Sequence, residues 1–223
     1  MKAVALIPAY NESRTIAAVI SGVHPHVDHV IVVDDGSTDA TASAAATAGA
    51  EVIRLTPNRG KGLAVRSGLA RVFEGAFSHV LLLDGDLQHR PDEADRLLET
   101  AARTNADLVI GERQFQREAM PRSRYWANLI GSRALSGFVG APINDTQSGF
   151  RVCRVESIRP LHLRSRGYEL ETEMLIKLCR HGATVVGVPI SAVYTGQPSK
   201  LKPMRDTTKT CFLAVYYRYI ERI

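Results

Sequence analysis

The sequence predicts an α/β domain, a mostly parallel sheet with helices on both faces. Short apolar runs alternate with helix-like segments through the first half of the chain. Each apolar run gives way to a polar loop of the kind that binds ligands at the carboxyl ends of parallel strands. At 223 residues the chain builds one substantial core and leaves little for a second domain.

The first strand lies in KAVALIPAYNES, an apolar run stopped by Pro8. Asn11 to Ser13 then start a helix whose apolar positions are Ile16, Val19, Ile20 and Val23. Val30 to Val33 form the second strand, DDGSTD the turn, and the alanine-rich Thr38 to Ala48 a helix ended by Gly49. Glu51 to Leu55 make the third strand, and NRGKG introduces a helix beginning near Leu63. A leucine run up to Leu83 is the fourth strand, Pro91 opens a charged helix, and Asp107 to Ile110 are the fifth strand. Tyr10 and Glu12, Asp34 and Asp35, Asn58 to Lys61, and Asp84 to Gln88 each follow a strand, so these loops share one mouth.

LLLDGDLQH holds the densest chemistry. Read as extended chain, it places Asp84 and Asp86 on one face with Gly85 between them. They and Gln88 can then share one hard cation, Mg²⁺ or Mn²⁺, which keeps positions free for substrate phosphates. The same residues also suit a plain polar turn. No Gly-x-Gly-x-x-Gly turn follows the first strand and no Gly-x-x-x-x-Gly-Lys-Ser/Thr loop is present, which argues against a dinucleotide oxidoreductase and a P-loop ATPase.

In that order, IPAYNE, VVDDGSTD, NRGKG and LDGDLQH make the chain resemble the inverting family 2 glycosyltransferases of the GT-A fold. DTQSGFR (145–151), GYELETEML (167–175) and PSKL (198–201) are similar to the branch that makes polyprenyl-phosphate or dolichyl-phosphate sugars. The resemblance implies a single GT-A, Rossmann-like domain and a nucleotide diphosphate sugar, a GDP- or UDP-hexose, laid across the first half. It implies donor contacts from Pro8, Tyr10, Glu12, Asp34, Asp35, Lys61, Asp84 and Asp86, with Asp84, Asp86 and Gln88 holding the Mg²⁺ or Mn²⁺. Asp35 also suits helix capping, and Lys61 a solvated helix start.

The acceptor follows from chemistry in part. A hydroxyl needs a general base, whereas a phosphate monoester, with its second pKa near about 6, is largely ionised at neutral pH and attacks unaided. The second case asks for cations, and Arg113, Arg117, Arg122, Arg124, Arg133, Arg151 and Lys200 are available. The resemblance favours Arg113, Arg124 and Lys200 for the acceptor phosphate of a polyprenyl phosphate. With Asp145, which orients the acceptor or acts as base, Arg113 and Arg124 make the catalytic group; the other arginines read mainly as solvated surface. One departure stands out: YTGQPSKL has Thr195, Gln197 and Pro198 where that branch usually carries an arginine pair and a Gly-Glu-Ser-like stretch.

These motifs divide the chain into a catalytic domain at 1–200, with a donor half to about 112 and an acceptor half from about 113, and a C-terminal segment at 201–223. In that segment Phe212, Val215, Tyr216, Tyr219, Ile220 and Ile223 recur at helical spacing among Arg205, Lys209, Arg218 and Arg222. A basic amphipathic helix of this kind lies on a lipid surface or packs on the core or a second subunit. The net charge of +5 and pI of about 9.3 suit acidic partners, a nucleotide, a lipid phosphate or a membrane surface, while no basic face interleaved with aromatics points to nucleic acid.

The chain lacks an apolar stretch of roughly 18 residues and a signal-peptide plan, so the expected location is the cytoplasm, peripheral to the inner membrane face. Cys153, Cys179 and Cys211 are scattered and odd in number, as reduced thiols are, and His24, His26 and His29 lack the companions of a metal site. Two alternatives stay open: a family 2 enzyme with a soluble hydroxyl acceptor and Asp145 as base, and a noncatalytic nucleotide-sugar-binding subunit serving a membrane partner.

Overall fold

The structure is a computed structural model and describes residues 1–113, 136–137, 143–191 and 217. Arg124, Lys200 and, apart from Tyr217, the segment 201–223 lie outside the described residues. β1 (Ala3–Ala9), β2 (His29–Asp34), β3 (Glu51–Arg54) and β4 (His79–Leu82) run parallel, as the alternation of strand, loop and helix predicts. β5 (Leu108–Arg113) and β7 (Val185–Ile190) also pair in parallel, but β6 (Arg151–Arg154) lies antiparallel between β4 and β5. Among the described residues the seven strands form one sheet in the order β3-β2-β1-β4-β6-β5-β7. The reversal of β6 has a functional effect. It sets Arg151 beside Leu82 and Ile110, so DTQSGFR enters the sheet at the ends where the chain leaves toward Asp84 and Arg113.

Side chains alternate between two cores. Val4 and Leu6 of β1 face the layer built by α3 (Lys61–Glu74), α5 (Val155–Ile158) and α6 (Leu170–Arg180). Ala5 and Ile7 face the layer of α1 (Ile16–Val23), α2 (Thr41–Thr47) and α4 (Ala94–Thr104). α3 lies close against the sheet because Gly68 carries no side chain; a Cβ there would overlap Leu6. Helix starts differ from expectation by a few residues: α1 begins at Ile16 rather than at Asn11 to Ser13, and α3 at Lys61 rather than near Leu63. α2 begins at Thr41 because Asp39 accepts the Thr41 amide at 3.0 Å and holds the preceding residues in a turn. A short 3₁₀ turn, Pro91–Glu93, precedes α4.

Arg151 is fully buried, which sequence reasoning did not foresee in grouping it with phosphate-binding cations. Its guanidinium donates to the carbonyls of Ser148 at 2.6 Å, Thr146 at 2.6 Å and Glu171 at 2.7 Å. It is therefore a structural clamp between the loop before β6 and the start of α6. Cys153 is buried beside Met174 and Cys179 half-buried, both free thiols, while Cys211 lies outside the described residues. Burial pushes the Cys153 thiol up to about 12 and that of Cys179 up to about 11. Among the described residues no helix is long and apolar enough to cross a membrane.

Arg151→Met removes three buried hydrogen bonds to carbonyls, and at roughly 1 kcal/mol each it should lower stability by about 3 kcal/mol, read as a drop in urea midpoint. A thiol reagent at pH 8 should leave Cys153 unlabelled in the native protein and label it after denaturation, as mapped by peptide mass.

Candidate active site

The loops that follow β1, β2, β3 and β4 meet at one cavity of about 390 Å³. Its walls include Pro8 at the end of β1 with Tyr10 and Glu12 from the first loop, Asp35 from the second, Asn58 and Gly60 from the third with Lys61 at the start of α3, and Asp84, Asp86, Gln88 and His89 from the fourth. Arg113, Gln147, Gly149 and Tyr168 close the far side. The shared mouth is therefore real.

The first two loops are stitched together by short polar contacts. The Asn11 amide donates to Ser37 Oγ at 2.8 Å, the Thr38 amide to Asn11 Oδ1 at 2.9 Å, and the Glu12 amide to Thr41 Oγ1 at 2.8 Å. Asp34 and Asp35 point opposite ways, as neighbours at a strand end do. Asp35 reaches the cavity and accepts the amides of Arg59 at 2.9 Å and Gly60 at 2.8 Å, so it fixes the third loop rather than capping a helix. Asp34 is absent from the cavity wall: its fully buried carboxylate accepts the Ser37 amide at 2.9 Å and faces Arg54 at 3.5 Å. The donor contact expected of Asp34 has no geometric basis there.

Asp84 and Asp86 share the cavity by a different route from the one the sequence suggests. The strand ends at Leu82, and residues 84–87 turn, with Leu87 at a φ of 59° and Asp86 Oδ1 accepting the Gln88 amide at 3.0 Å. A turn, rather than extended alternation, aims both carboxylates inward. Lys61 Nζ lies 2.7 Å from Asp84 Oδ1 and 2.7 Å from Glu171 Oε1, with the Tyr168 ring centroid 5.4 Å away. Burial alone would raise Asp84, but Lys61, with His89 and Arg113 behind it, holds that carboxyl below its usual range. Asp86 has no such partner, and burial followed by the Asp84 charge pushes it up to about 6.

Arg113 and Asp145 form a fork. Nε and Nη2 of Arg113 donate to Asp145 Oδ2 and Oδ1 at 2.6 and 3.0 Å, and the backbone amides of Arg113 and Gln147 add contacts at 3.3 Å each. Burial works to raise Asp145, yet Arg113 overrides it and holds the carboxyl low. A carboxylate so occupied is a weak base and a firm support for Arg113. His89 is buried against Phe150 and, through burial and then the Arg113 charge, is lowered to about 4, so it is neutral at neutral pH.

Sequence reasoning missed His89, Gln147, Gly149, Tyr168 and Glu171. All lie inside quoted motifs, but the pairings that bring them here are long-range. Gly149 is needed for its absent side chain: a Cβ would stand 2.7 Å from Asp84 Oδ2 and 3.1 Å from Lys61 Nζ.

The set at Asp84, Asp86 and Gln88 offers carboxylate and amide oxygens, and burial and then the Asp84 charge push Asp86 upward. That chemistry fits a hard divalent cation. Among the described residues no group of three or more His, Cys, Asp and Glu gathers to hold an ion.

Residues 4–161 match the family model described as glycosyl transferase family 2. Glycosyltransferase AglJ of Haloferax volcanii is 35% identical over 218 residues, 96% of this chain and 70% of that protein. The undecaprenyl-phosphate mannosyltransferase of Micrococcus luteus is 33% identical over 206 residues, 86% of this chain and 84% of that protein. Among solved structures, glucosyl-3-phosphoglycerate synthase from Mycobacterium tuberculosis in complex with Mn²⁺ and uridine-diphosphate-glucose matches with a TM-score of 0.72 at 23% identity. That match covers 97% of this chain and 78% of that one, a likeness of GT-A fold. The chain belongs to glycosyl transferase family 2 and is a sugar-transferring enzyme.

Proposed function

We propose that this enzyme moves a hexose, mannose or glucose, from a nucleotide diphosphate sugar to polyprenyl phosphate with inversion, using Mg²⁺ or Mn²⁺, at the inner membrane face. The observation that carries the reading is Arg113 at the cavity wall, locked by Asp145 in a bidentate fork. A phosphate acceptor brings its own negative charge and calls for a fixed cation; a hydroxyl acceptor would call for a free base, which Asp145 is not. The named relative that acts on undecaprenyl phosphate supports the same acceptor class.

Tyr10 presents an aromatic face and Glu12 a carboxylate for the base and ribose, while Asp35 holds the third loop in place. Asp84, Asp86 and Gln88 would hold the cation, which supplies charge neutralisation for the departing nucleotide diphosphate. Arg113 orients the acceptor phosphate opposite the leaving group, as inversion requires. Arg124 and Lys200 complete the acceptor cations in this proposal. The peripheral membrane position rests on the basic amphipathic character of 201–223, and the mixed polar wall of the cavity suits a sugar nucleotide bound from solution.

Incubation with Mn²⁺ or Mg²⁺, a panel of labelled nucleotide sugars and short-chain polyprenyl phosphate in detergent should move label into the organic phase with one donor. Metal-dependent donor hydrolysis without lipid product would instead point to a soluble acceptor, and donor binding without any turnover to a noncatalytic subunit. Asp86→Ala should abolish metal-dependent donor binding by calorimetry without unfolding the chain; full affinity in that variant would overturn the metal assignment. Asp145→Asn should raise the acceptor KM about tenfold and leave the kcat pH profile unmoved, because it loosens Arg113; a kcat loss of roughly 10²–10⁴ would mark Asp145 as the base.

A further inference from the structure

Lys61 already occupies the place a metal needs. Its ammonium is 2.7 Å from Asp84 Oδ1, on the carboxylate that the proposed function gives to a divalent cation. Two cations cannot share that oxygen without strong repulsion. A metal that takes Asp84 Oδ1 therefore requires the lysine to move off that oxygen.

A destination is in place. Glu171 Oε1 lies 2.7 Å from the same ammonium, and Glu171 Oε2 is buried with no hydrogen-bond partner among the described residues. The Asp84 side chain is 26% exposed and lines the cavity, whereas that of Glu171 is 11% exposed and does not line it. Glu171 is also held rigidly, since its carbonyl accepts Arg151 Nη1 at 2.7 Å. The Tyr168 ring, 5.4 Å from Nζ, covers the ammonium beside both partners.

We propose that Lys61 is a resident cation that neutralises Asp84 until a divalent metal arrives, and that Glu171 is the seat to which the lysine withdraws, taking up the unused Oε2. This rests on the assignment of the metal to Asp84 and Asp86. Glu171 is thus a positioning residue for metal loading. It touches neither metal nor substrate and acts through Lys61. The exchange is short, because the ammonium already contacts both carboxylates, and it keeps the site neutralised in its empty state. Gly149 leaves the space beside Asp84 Oδ2 and Lys61 Nζ open for the rearrangement.

The test is Mn²⁺ binding by electron paramagnetic resonance, with no nucleotide present, on wild type, Glu171→Gln, Lys61→Met and the double variant, each checked for folding by thermal melt. Glu171→Gln should bind Mn²⁺ about tenfold more weakly, because the displaced lysine loses its charged seat. Lys61→Met should bind about tenfold more tightly, because no resident cation competes, and this opposite sign cannot come from a damaged fold. In the Lys61→Met background, Glu171→Gln should change affinity by less than about twofold. Equal affinities in wild type and Glu171→Gln overturn the exchange, and so does the same weakening in both backgrounds, which would mark Glu171 as a plain distant attraction. Asp86→Ala separates the two ideas. If it abolishes Mn²⁺ binding while Glu171→Gln does nothing, the metal site stands and the exchange falls; if wild type binds no Mn²⁺ even with nucleotide diphosphate added, both fall.

Discussion

The buried guanidinium of Arg151 is the fixed point of this site. A charge without solvent persists only where hydrogen bonds replace its hydration, and here three carbonyls do so. Those carbonyls belong to Thr146, Ser148 and Glu171, so one side chain sets two segments that sequence separates by more than a helix turn. Through the first pair it positions the loop that carries Asp145, and hence the fork on Arg113. Through the third it positions Glu171, and hence Lys61 and Asp84. Arg113 and the Asp84 carboxylate, both on the cavity wall, are thereby referred to a common origin.

That arrangement also balances charge. The strand ends bring Glu12, Asp35, Asp84 and Asp86 to one cavity, a gathering of like charges that is unfavourable unless each is compensated. The carboxylates are settled differently: Glu12 accepts the Thr15 hydroxyl at 3.1 Å, Asp35 accepts two backbone amides and Asp84 pairs with Lys61, while Asp145, outside that set, is held by Arg113. Asp86 is the one whose surroundings push it upward, from burial and the charge on Asp84. A cation placed against it would relieve that repulsion. His89, kept neutral by burial and Arg113, adds no charge to this balance.

Much of the fold was legible because its signals are local. Four apolar runs, each ending in a polar motif, became four parallel strands opening on one cavity, and the motifs kept their order. The less legible parts depend on contacts between distant residues. Nothing local to RVCR distinguishes an antiparallel β6 from a parallel strand, yet that reversal delivers Gln147 and Gly149 to the mouth. Asp34 and Asp35 look equivalent as letters, and the strand's period of two sends them to opposite sides. Arg151 reads as one more surface arginine until the pairing of β6 with β4 and β5 buries it. In LDGDLQH the meeting of the two carboxylates was legible, but not whether a turn or an extended strand brings it about, because both place alternate carboxylates together.

Tyr217 adds a link between the end of the chain and the start of α3. Its hydroxyl donates to Glu173 Oε1 at 2.8 Å, and its ring is buried against Lys177. Glu173 is itself fully buried and accepts the Arg164 amide at 2.9 Å and the Ser165 amide at 2.7 Å. The next carbonyl, that of Arg166, receives the Gly62 amide at 2.9 Å, one residue beyond Lys61. The apolar periodicity of 201–223 singles out Tyr216 and Tyr219 and passes over Tyr217, because it registers a stripe rather than a hydroxyl seeking a buried carboxylate. Replacing that hydroxyl with nothing would leave Glu173 with fewer donors in a site closed to water, and the 164–167 loop would lose part of its anchor. The lysine beside Asp84 thus rests on α6 twice, directly through Glu171 and through the loop that Glu173 holds.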